Sequence, residues 1–428
     1  MSSSGKVAAA AVRAGARPLR LAMFSPVAPI RSGISAYLAD LLPLLPEAWD
    51  IDVFTDAGIE PEPQGLARAA APAPCFPHSE FRRRHADEPY DLTVYQVGNS
   101  TARTYMLDYV IEHPGLLVLH DGVVHPARIE AATAAGAMLE YRQIAESCRG
   151  DIGRAVGHLV AGGLGGPAIY SAFPMCEDLV DASLVTAMHG ELACAWLRGL
   201  VPSACVVPLA HWRSVDVTDD LRAAWRHRLG APDDVVIGSF GNIGSERRLD
   251  RAFHALADID EGRPWRLVVA GSVDQRLGLE TLAAELGIGD RIDWHEGLSD
   301  ADFVAVMGAV DLAINLRYPP ARSSSGVLHQ LLQLGVPTLI SDVVHWREYP
   351  EAAVARIPPG PDEAEDKALR AALARWIVNP EARAAAARVG REWAAHHISP
   401  QRMRETYVEA VAAALDAADD GRQESSRL

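Results

Sequence analysis

The chain has 428 residues, 49% hydrophobic and 22% charged, which is enough apolar surface for a sizeable core and excludes a disordered polymer. At about 100 to 200 residues per domain, the length favours two domains over three. Forty Lys and Arg against 56 Asp and Glu give a formal charge of −16, which argues against a broad nucleic-acid surface but permits a local cationic pocket.

Residues 1 to 17 read as a loose tail, because Arg13 and Arg17 interrupt an Ala/Val stretch too short for a secretory apolar region. No apolar run approaches the roughly 18 to 20 residues of a membrane-spanning helix, so a soluble, cytoplasmic protein is expected. From Leu19 onward, short apolar runs alternate with longer helical patterns, the signature of βαβ units and a parallel sheet. Strands are predicted at 19–24, 51–54, 91–97, 116–119, 184–187 and 205–208, with helices at 34–45, 104–112 and 191–200. The Pro-rich stretch 60–77 reads as a surface loop, and the Ala/Gly-rich stretch 126–180 as a helical insertion of the kind that shapes a substrate pocket.

A charged segment with turn residues, 212–234, closes this round, and a second begins at Val235. It predicts strands at 235–240, 265–270, 291–294, 311–316 and 336–340, and helices at 247–258, 279–286, 300–309 and 326–334. A last helix is expected from about 399 to 418. The fold class is therefore α/β, two Rossmann-like domains in tandem at 18–210 and 233–398, with a helical insertion in the first. The five cysteines have no zinc-type spacing and read as buried apolar thiols in a reducing compartment.

In open parallel sheets ligands bind beyond the carboxyl ends of the strands, where loops lead into helix amino termini. After the first strand, a proline-bearing turn ends in Ser32 and Gly33, where a ligand could approach the backbone; a tight turn before a helix is the plainer reading. His120, Asp121 and Gly122 follow the strand at 116–119, with His125 five residues beyond His120. These residues lack a further ligand set for a metal; His120 is either a structural histidine or one able to bond a substrate hydroxyl or carry a proton near neutral pH.

In the second round, Gly238, Gly241 and Gly244 recur every third residue, which is not the dinucleotide fingerprint, and no Gly-Lys-Ser/Thr loop follows. A Gly-rich turn, a helix start and the guanidinium groups of Arg247 and Arg248 together suit a diphosphate, although each arginine alone could lie on a solvated face. Further on, Ser323, Ser324 and Ser325 precede a helix starting at Gly326 and form a second candidate anion cradle; a serine N-cap would account for only one of them.

Taken in order, these motifs resemble the retaining family 4 glycosyltransferases of the two-Rossmann-domain (GT-B) type, from about Arg20 to Tyr407. The resemblance is carried by the Ser25 to Gly33 loop, the strand-end His120, the Phe240-Gly241 turn with basic Arg247, and the block from Asp311 to Asp342. It implies two domains facing across a cleft, the donor mainly on the second, the acceptor on the first, and a final helix returning to the first. By resemblance Gly33 lies against the donor phosphates, His120 contacts the transferring sugar and with Asp121 makes up the expected catalytic pair, and Arg247 replaces a diphosphate-binding lysine. Gly241, Asn242, Arg248, Ser323, Ser324, Ser325, Gly326, Val327 and Gln330 complete the expected donor-binding set.

The expected partners are a nucleotide diphosphate sugar as co-substrate and a small-molecule, glycan or lipid-linked acceptor. No cofactor, metal, nucleic acid or stable membrane insertion is expected. The chain departs from the family in its most diagnostic motif, two glutamates separated by seven residues. Counting back from Gly335 puts Gln330 and Arg322 there, and anchoring on Ser325-Gly326 puts Ser323 at the first. A carboxylate accepts hydrogen bonds from two sugar hydroxyls, whereas an arginine only donates, so an altered donor or weakened catalysis is expected. Asn242 also stands where the family has an arginine. The rival expectations are a degenerate homologue that binds a nucleotide sugar or a protein without turnover and, more weakly, a nucleotide-sugar epimerase.

Overall fold

The computed structural model describes residues 17–99, 101–230, 234–259, 264–360 and 363–425. They form two compact units: one comprises the chain up to His211, residues 321–324 and the chain from Pro400; the other comprises Trp212–Pro320 and Ser325–Ser399.

The first unit is built on strands β1 (Leu19–Phe24), β2 (Trp49–Thr55), β3 (Cys75–Pro77), β4 (Leu92–Val97), β5 (Leu116–Leu119), β6 (Val185–His189) and β7 (Val206–Leu209). They form a seven-stranded parallel sheet in the order β3-β2-β1-β4-β5-β6-β7. The second holds β8 (Val235–Phe240), β9 (Trp265–Ala270), β10 (Ile292–His295), β11 (Leu312–Asn315), β12 (Thr338–Ser341) and β13 (Val354–Ile357), parallel in the order β10-β9-β8-β11-β12-β13. Central strands such as β4 and β8 are buried at every position, as helices on both faces require, so they read as continuous apolar runs. In each sheet the winding direction reverses next to the first strand, between β1 and β4 and between β8 and β11, and a cleft for ligands opens at such a point.

The Pro-rich stretch expected to be only a loop contains β3, in register with β2 through Val53↔Cys75 and Phe54↔Phe76. It is a three-residue edge strand ending in Pro77, a place where no further strand needs the missing N–H. The other unforeseen strand, β13, is also a short edge.

The helical insertion is present as helices His125–Ala135, Met138–Leu159, Pro167–Ala172 and Glu177–Ala182, with a π-helical turn at Val160–Leu164. The long helix breaks at Arg149 and Gly150, where Gly150 takes φ 56°. Its two halves then pack so closely that a Cβ on Gly153 would stand 1.8 Å from the Ala145 carbonyl oxygen. His125, fully buried, pins this insertion: Nδ1–H donates to the Phe173 carbonyl (2.7 Å) and Nε2 accepts from the Tyr141 hydroxyl (2.6 Å). Both ring nitrogens are engaged, so His125 offers none to a metal.

The last helix, Pro400–Ser425, buries Met403, Tyr407, Val411 and Ala414 on one stripe of the first unit. Its Tyr407 hydroxyl accepts from Gln96 Nε2 (2.9 Å), and Thr406 Oγ1 accepts from the Ala210 amide (3.0 Å). All five thiols are free; the expectation that all are buried is corrected at Cys205, which is exposed in the turn before β7, while Cys75 and Cys148 are half-buried.

Burial pushes the His125 imidazole down from 6.5 to about 4. The unfolded chain therefore holds the extra proton between these values, and this contribution to stability is complete above pH 6.5 and falls as pH drops towards 4. Acidification over that window is expected to cost about 3 kcal/mol from His125 alone. Urea unfolding at pH 7 and pH 5 checks it: His125→Gln lowers stability at pH 7 and flattens the acid-side slope, and an unchanged slope rules the effect out.

Candidate active site

At the reversal point of the second sheet, β8 ends at Phe240 and β11 at Asn315, side by side. The helix expected over 247–258 is broken: Ser245–Arg247 is a 3₁₀ turn, Arg248 takes the left-handed φ of 53°, and the α-helix runs only from Leu249 to Ala257. That turn directs Arg247 back across the strand ends. Its Nε donates to the Asn242 carbonyl (3.0 Å) and its Nη1 to Asn315 Oδ1 (2.7 Å). Asn315 Nδ2 in turn donates to Ser325 Oγ (3.3 Å), which accepts the Leu328 amide as N-cap of the helix Gly326–Leu334. The amides of Gly326 and Val327 remain as donors in that first turn, where the helix dipole favours an anion.

Gly241 completes the arrangement with φ +93°, and a Cβ there would lie 2.9 Å from Arg247 Nη2 and 3.6 Å from Val327 Cγ2. Backbone, guanidinium and helix start thus converge on one spot. Arg247 is buried, with no carboxylate in ion-pair contact among the described residues. Burial, reinforced by the like charge of Arg317 and opposed only in part by Glu246, lowers its pKa to about 9, so it stays charged at neutral pH in a setting that disfavours charge. A buried cation near a second cation is relieved by an incoming anion.

Other expected donor residues sit differently. Arg248 is corrected: it forms an ion pair with the buried Glu365 and donates to the Gly360 carbonyl (2.7 Å), so its charge anchors a loop and is withdrawn from the phosphate set. Asn242 is exposed, its Oδ1 accepting from Ser272 Oγ (2.8 Å). The three serines do not form a single row: Ser325 is the cap, whereas Ser323 and Ser324 belong to the first unit, where Ser324 Oγ bonds His211 Nδ1 (2.6 Å). Gln330 is buried and donates its amide N–H to the Ser214 carbonyl (2.7 Å), which leaves its oxygen as an acceptor.

In the first unit, Gly33 opens the helix Gly33–Leu41 behind a capping box of Ser32 and Ser35, and a Cβ on it would meet no atom within 4 Å. His120 is buried with both ring nitrogens engaged: Nε2 bonds Gln96 Oε1 (2.7 Å) and Nδ1 bonds His189 Nε2 (3.1 Å). With Gln96 Nε2 donating to Tyr407, the network assigns the His120 proton to Nε2 and makes Nδ1 the acceptor. Contact with a sugar through a ring nitrogen therefore requires one of these bonds to open. Asp121 Oδ2 accepts from the Asn99 amide (2.9 Å) and ties the loops after β4 and β5 together.

Sequence reasoning missed Arg317, Gln96, His189 and His211. Strand ends carried the signal: Arg317 lies two residues past β11, His189 closes β6, and His211 lies two past β7.

This arrangement, two Rossmann-like units each built on a parallel sheet with one switch point, defines an α/β protein of the GT-B architecture. Residues 222–393 match the family described as Glycosyl transferases group 1. The matched segment contains Gly241, Arg247, Asn315, Ser325 and Gln330, whereas Gly33, His120 and Asp121 lie outside it. Over 173 residues the chain is 27% identical to 2-deoxystreptamine glucosyltransferase of Streptomyces kanamyceticus, covering 40% of this chain and 44% of that protein, less than half the relative's length. The fold is similar to sucrose-phosphate synthase of Thermosynechococcus elongatus, with TM-score 0.62 and 18% identity, covering 96% of this chain and all of that one. It is equally similar to HepE of Anabaena, solved with UDP and glucose, with TM-score 0.62 and 13% identity over 92% of this chain and 100% of that one.

Arg247→Ala is expected to weaken nucleoside diphosphate binding by roughly 1.5 to 3 kcal/mol, the scale of a charged hydrogen bond. Gly241→Ala is expected to act in the same direction by displacing the guanidinium. Calorimetric titration checks both, and unchanged affinity in Arg247→Ala removes that residue from the site.

Proposed function

We propose that this protein is a retaining glycosyltransferase that moves a hexose-like unit from a nucleotide diphosphate sugar to an acceptor hydroxyl, in the cytoplasm and without a metal. The observation that carries this reading is the Arg247 cation, buried at the β8/β11 switch point with no acidic partner in ion-pair contact among the described residues. The group 1 glycosyltransferase domain that contains it and the likeness to HepE, a protein solved with UDP and glucose, support a nucleotide diphosphate as its anion.

In this reaction the bond from the sugar C1 to the diphosphate oxygen breaks and its electron pair leaves with the diphosphate. The acceptor oxygen bonds C1 on the same face, and its proton passes to the departing diphosphate. Charge grows on the leaving group, where Arg247, the Gly241 turn and the Gly326 and Val327 amides stabilise it. The acceptor would lie on the first unit. Retention rests on the family resemblance alone.

A second reading, a non-catalytic binder of nucleotide sugars, is favoured by one specific feature. No Asp or Glu occurs from Asn315 to Gly335, the stretch that resembles the family's glutamate motif.

Incubation with a panel of nucleotide diphosphate sugars, following nucleotide release and sugar transfer together, separates the readings. Transfer with at least one donor is expected, and its loss in Arg247→Ala should be on the order of 10- to 100-fold. Binding without turnover across donors and acceptors would establish the second reading. Release of free sugar or of an isomer without an acceptor would point instead to hydrolysis or epimerisation.

A further inference from the structure

Arg322 is the feature that the proposed chemistry does not absorb. It lies in the four-residue stretch 321–324 that packs with the first unit, and it takes φ 57°, a left-handed conformation that is strained for an arginine. Its guanidinium lies over the Trp196 ring, 5.1 Å from Cζ to the ring centroid. The backbone after β5 passes directly beneath: a Cβ on Gly122 would be 2.8 Å from Arg322 Cβ and 2.6 Å from Trp196 Cζ3. The adjacent Ser324 is fastened to His211. The guanidinium is thus held on an aromatic shelf beside the loop that carries His120 and Asp121.

No charge answers it. Arg128, Arg226, Arg248 and Arg251 each face a carboxylate, but Arg322 makes no ion pair or side-chain hydrogen bond among the described residues, and its buried Nε has no partner. Burial alone lowers its affinity for its proton; no neighbouring acid offsets this. A half-buried cation without a counter-ion costs free energy that an anionic ligand would return. A planar guanidinium stacked on an indole is also ready to make two parallel bonds to a carboxylate or phosphate.

We infer that Arg322, on its Trp196 shelf, recognises an anionic group, a carboxylate or a phosphate, carried by one of the two sugar substrates. The inference rests on the glycosyltransferase reading and narrows its substrate class. On the count from Gly335, which puts Arg322 at the first glutamate of the motif, it also gives that charge reversal a purpose: a carboxylate there would accept from sugar hydroxyls, whereas a guanidinium can only donate and favours a sugar bearing negative charge.

The test uses the full chain in calorimetric titrations. In the donor arm, the tightest-binding nucleotide of the panel is compared as free diphosphate, as neutral hexosyl donor and as uronic acid donor. In the acceptor arm, glucose and glucose 6-phosphate are titrated into protein saturated with that nucleotide. The wild type is expected to bind one anionic form about tenfold or more tightly than its neutral counterpart. Arg322→Asn, whose new side chain tolerates the left-handed backbone, should abolish the preference and leave free diphosphate affinity within about twofold. Arg322→Lys should keep part of it.

The arm that shows the preference identifies the substrate bearing the charge. Absence of preference in both arms by a protein that binds nucleotide overturns the inference, as does a preference that survives Arg322→Asn. If no nucleotide binds, the glycosyltransferase reading fails first. Glucuronate and glucose 6-phosphate, each titrated alone against glucose, then decide the Arg322 site separately by the same criterion.

Discussion

The second unit is organised around one electrostatic constraint: Arg247 must remain charged while buried, and no carboxylate among the described residues faces it in an ion pair. Three neutral acceptors or spacers hold it there instead, the Asn242 carbonyl, the Asn315 side chain and the bare Gly241 backbone. They come from two segments, the Gly-rich turn after β8 and the end of β11, so strand order and turn geometry both bear on one guanidinium. Gly271 shows how tightly this is drawn, since a Cβ on it would lie 2.1 Å from the Gly241 carbonyl oxygen. A carboxylate bonded to Arg247 would have stabilised the ligand-free protein; Glu246, its neighbour in the chain, offsets the buried charge only in part.

The first unit solves a different problem by different means. Tyr407, Gln96, His120 and His189 form a hydrogen-bonded chain, with Tyr37 packed edge-on to His120, 4.7 Å between ring centroids. The chain links the last helix of the protein to the ends of β4, β5 and β6. It holds polar groups that would otherwise be costly to bury, and it fixes the loop after β5 on which Gly122 makes room for Arg322 and Trp196. Rigid support of this kind suits a binding surface made of loops.

Much of the architecture was legible because both sheets are parallel and covered on two faces, so their strands stand out as apolar runs between helical patterns. The losses follow a physical rule. β3 and β13 are edge strands of three and four residues, too short for a periodic signal and placed where pairing with one neighbour decides. The break after Arg247 depends on a left-handed Arg248, which no propensity announces. In the second unit, Gly241 could be picked out because it directly follows β8, Ser325 because it caps a helix, and Arg247 because it lies between β8 and the next helix. Arg248 and Ser324 looked equivalent to them on the same grounds, and their partners Glu365 and His211, 117 and 113 residues away, gave them other duties.

The sequence by itself determined the two rounds of strand and helix, the Gly-rich corner with its basic neighbour, and the absence of an acid from the stretch that resembles the glutamate motif, since these are properties of local order and residue type. Tertiary structure alone decided which cations stay without a counter-ion. Arg247, Arg248 and Arg322 are the same residue in similar polar loops; one lies buried against asparagine, one is neutralised by Glu365 and one is stacked on Trp196. Whether a charge is compensated depends on groups brought together from distant parts of the chain, and that is information no local pattern contains.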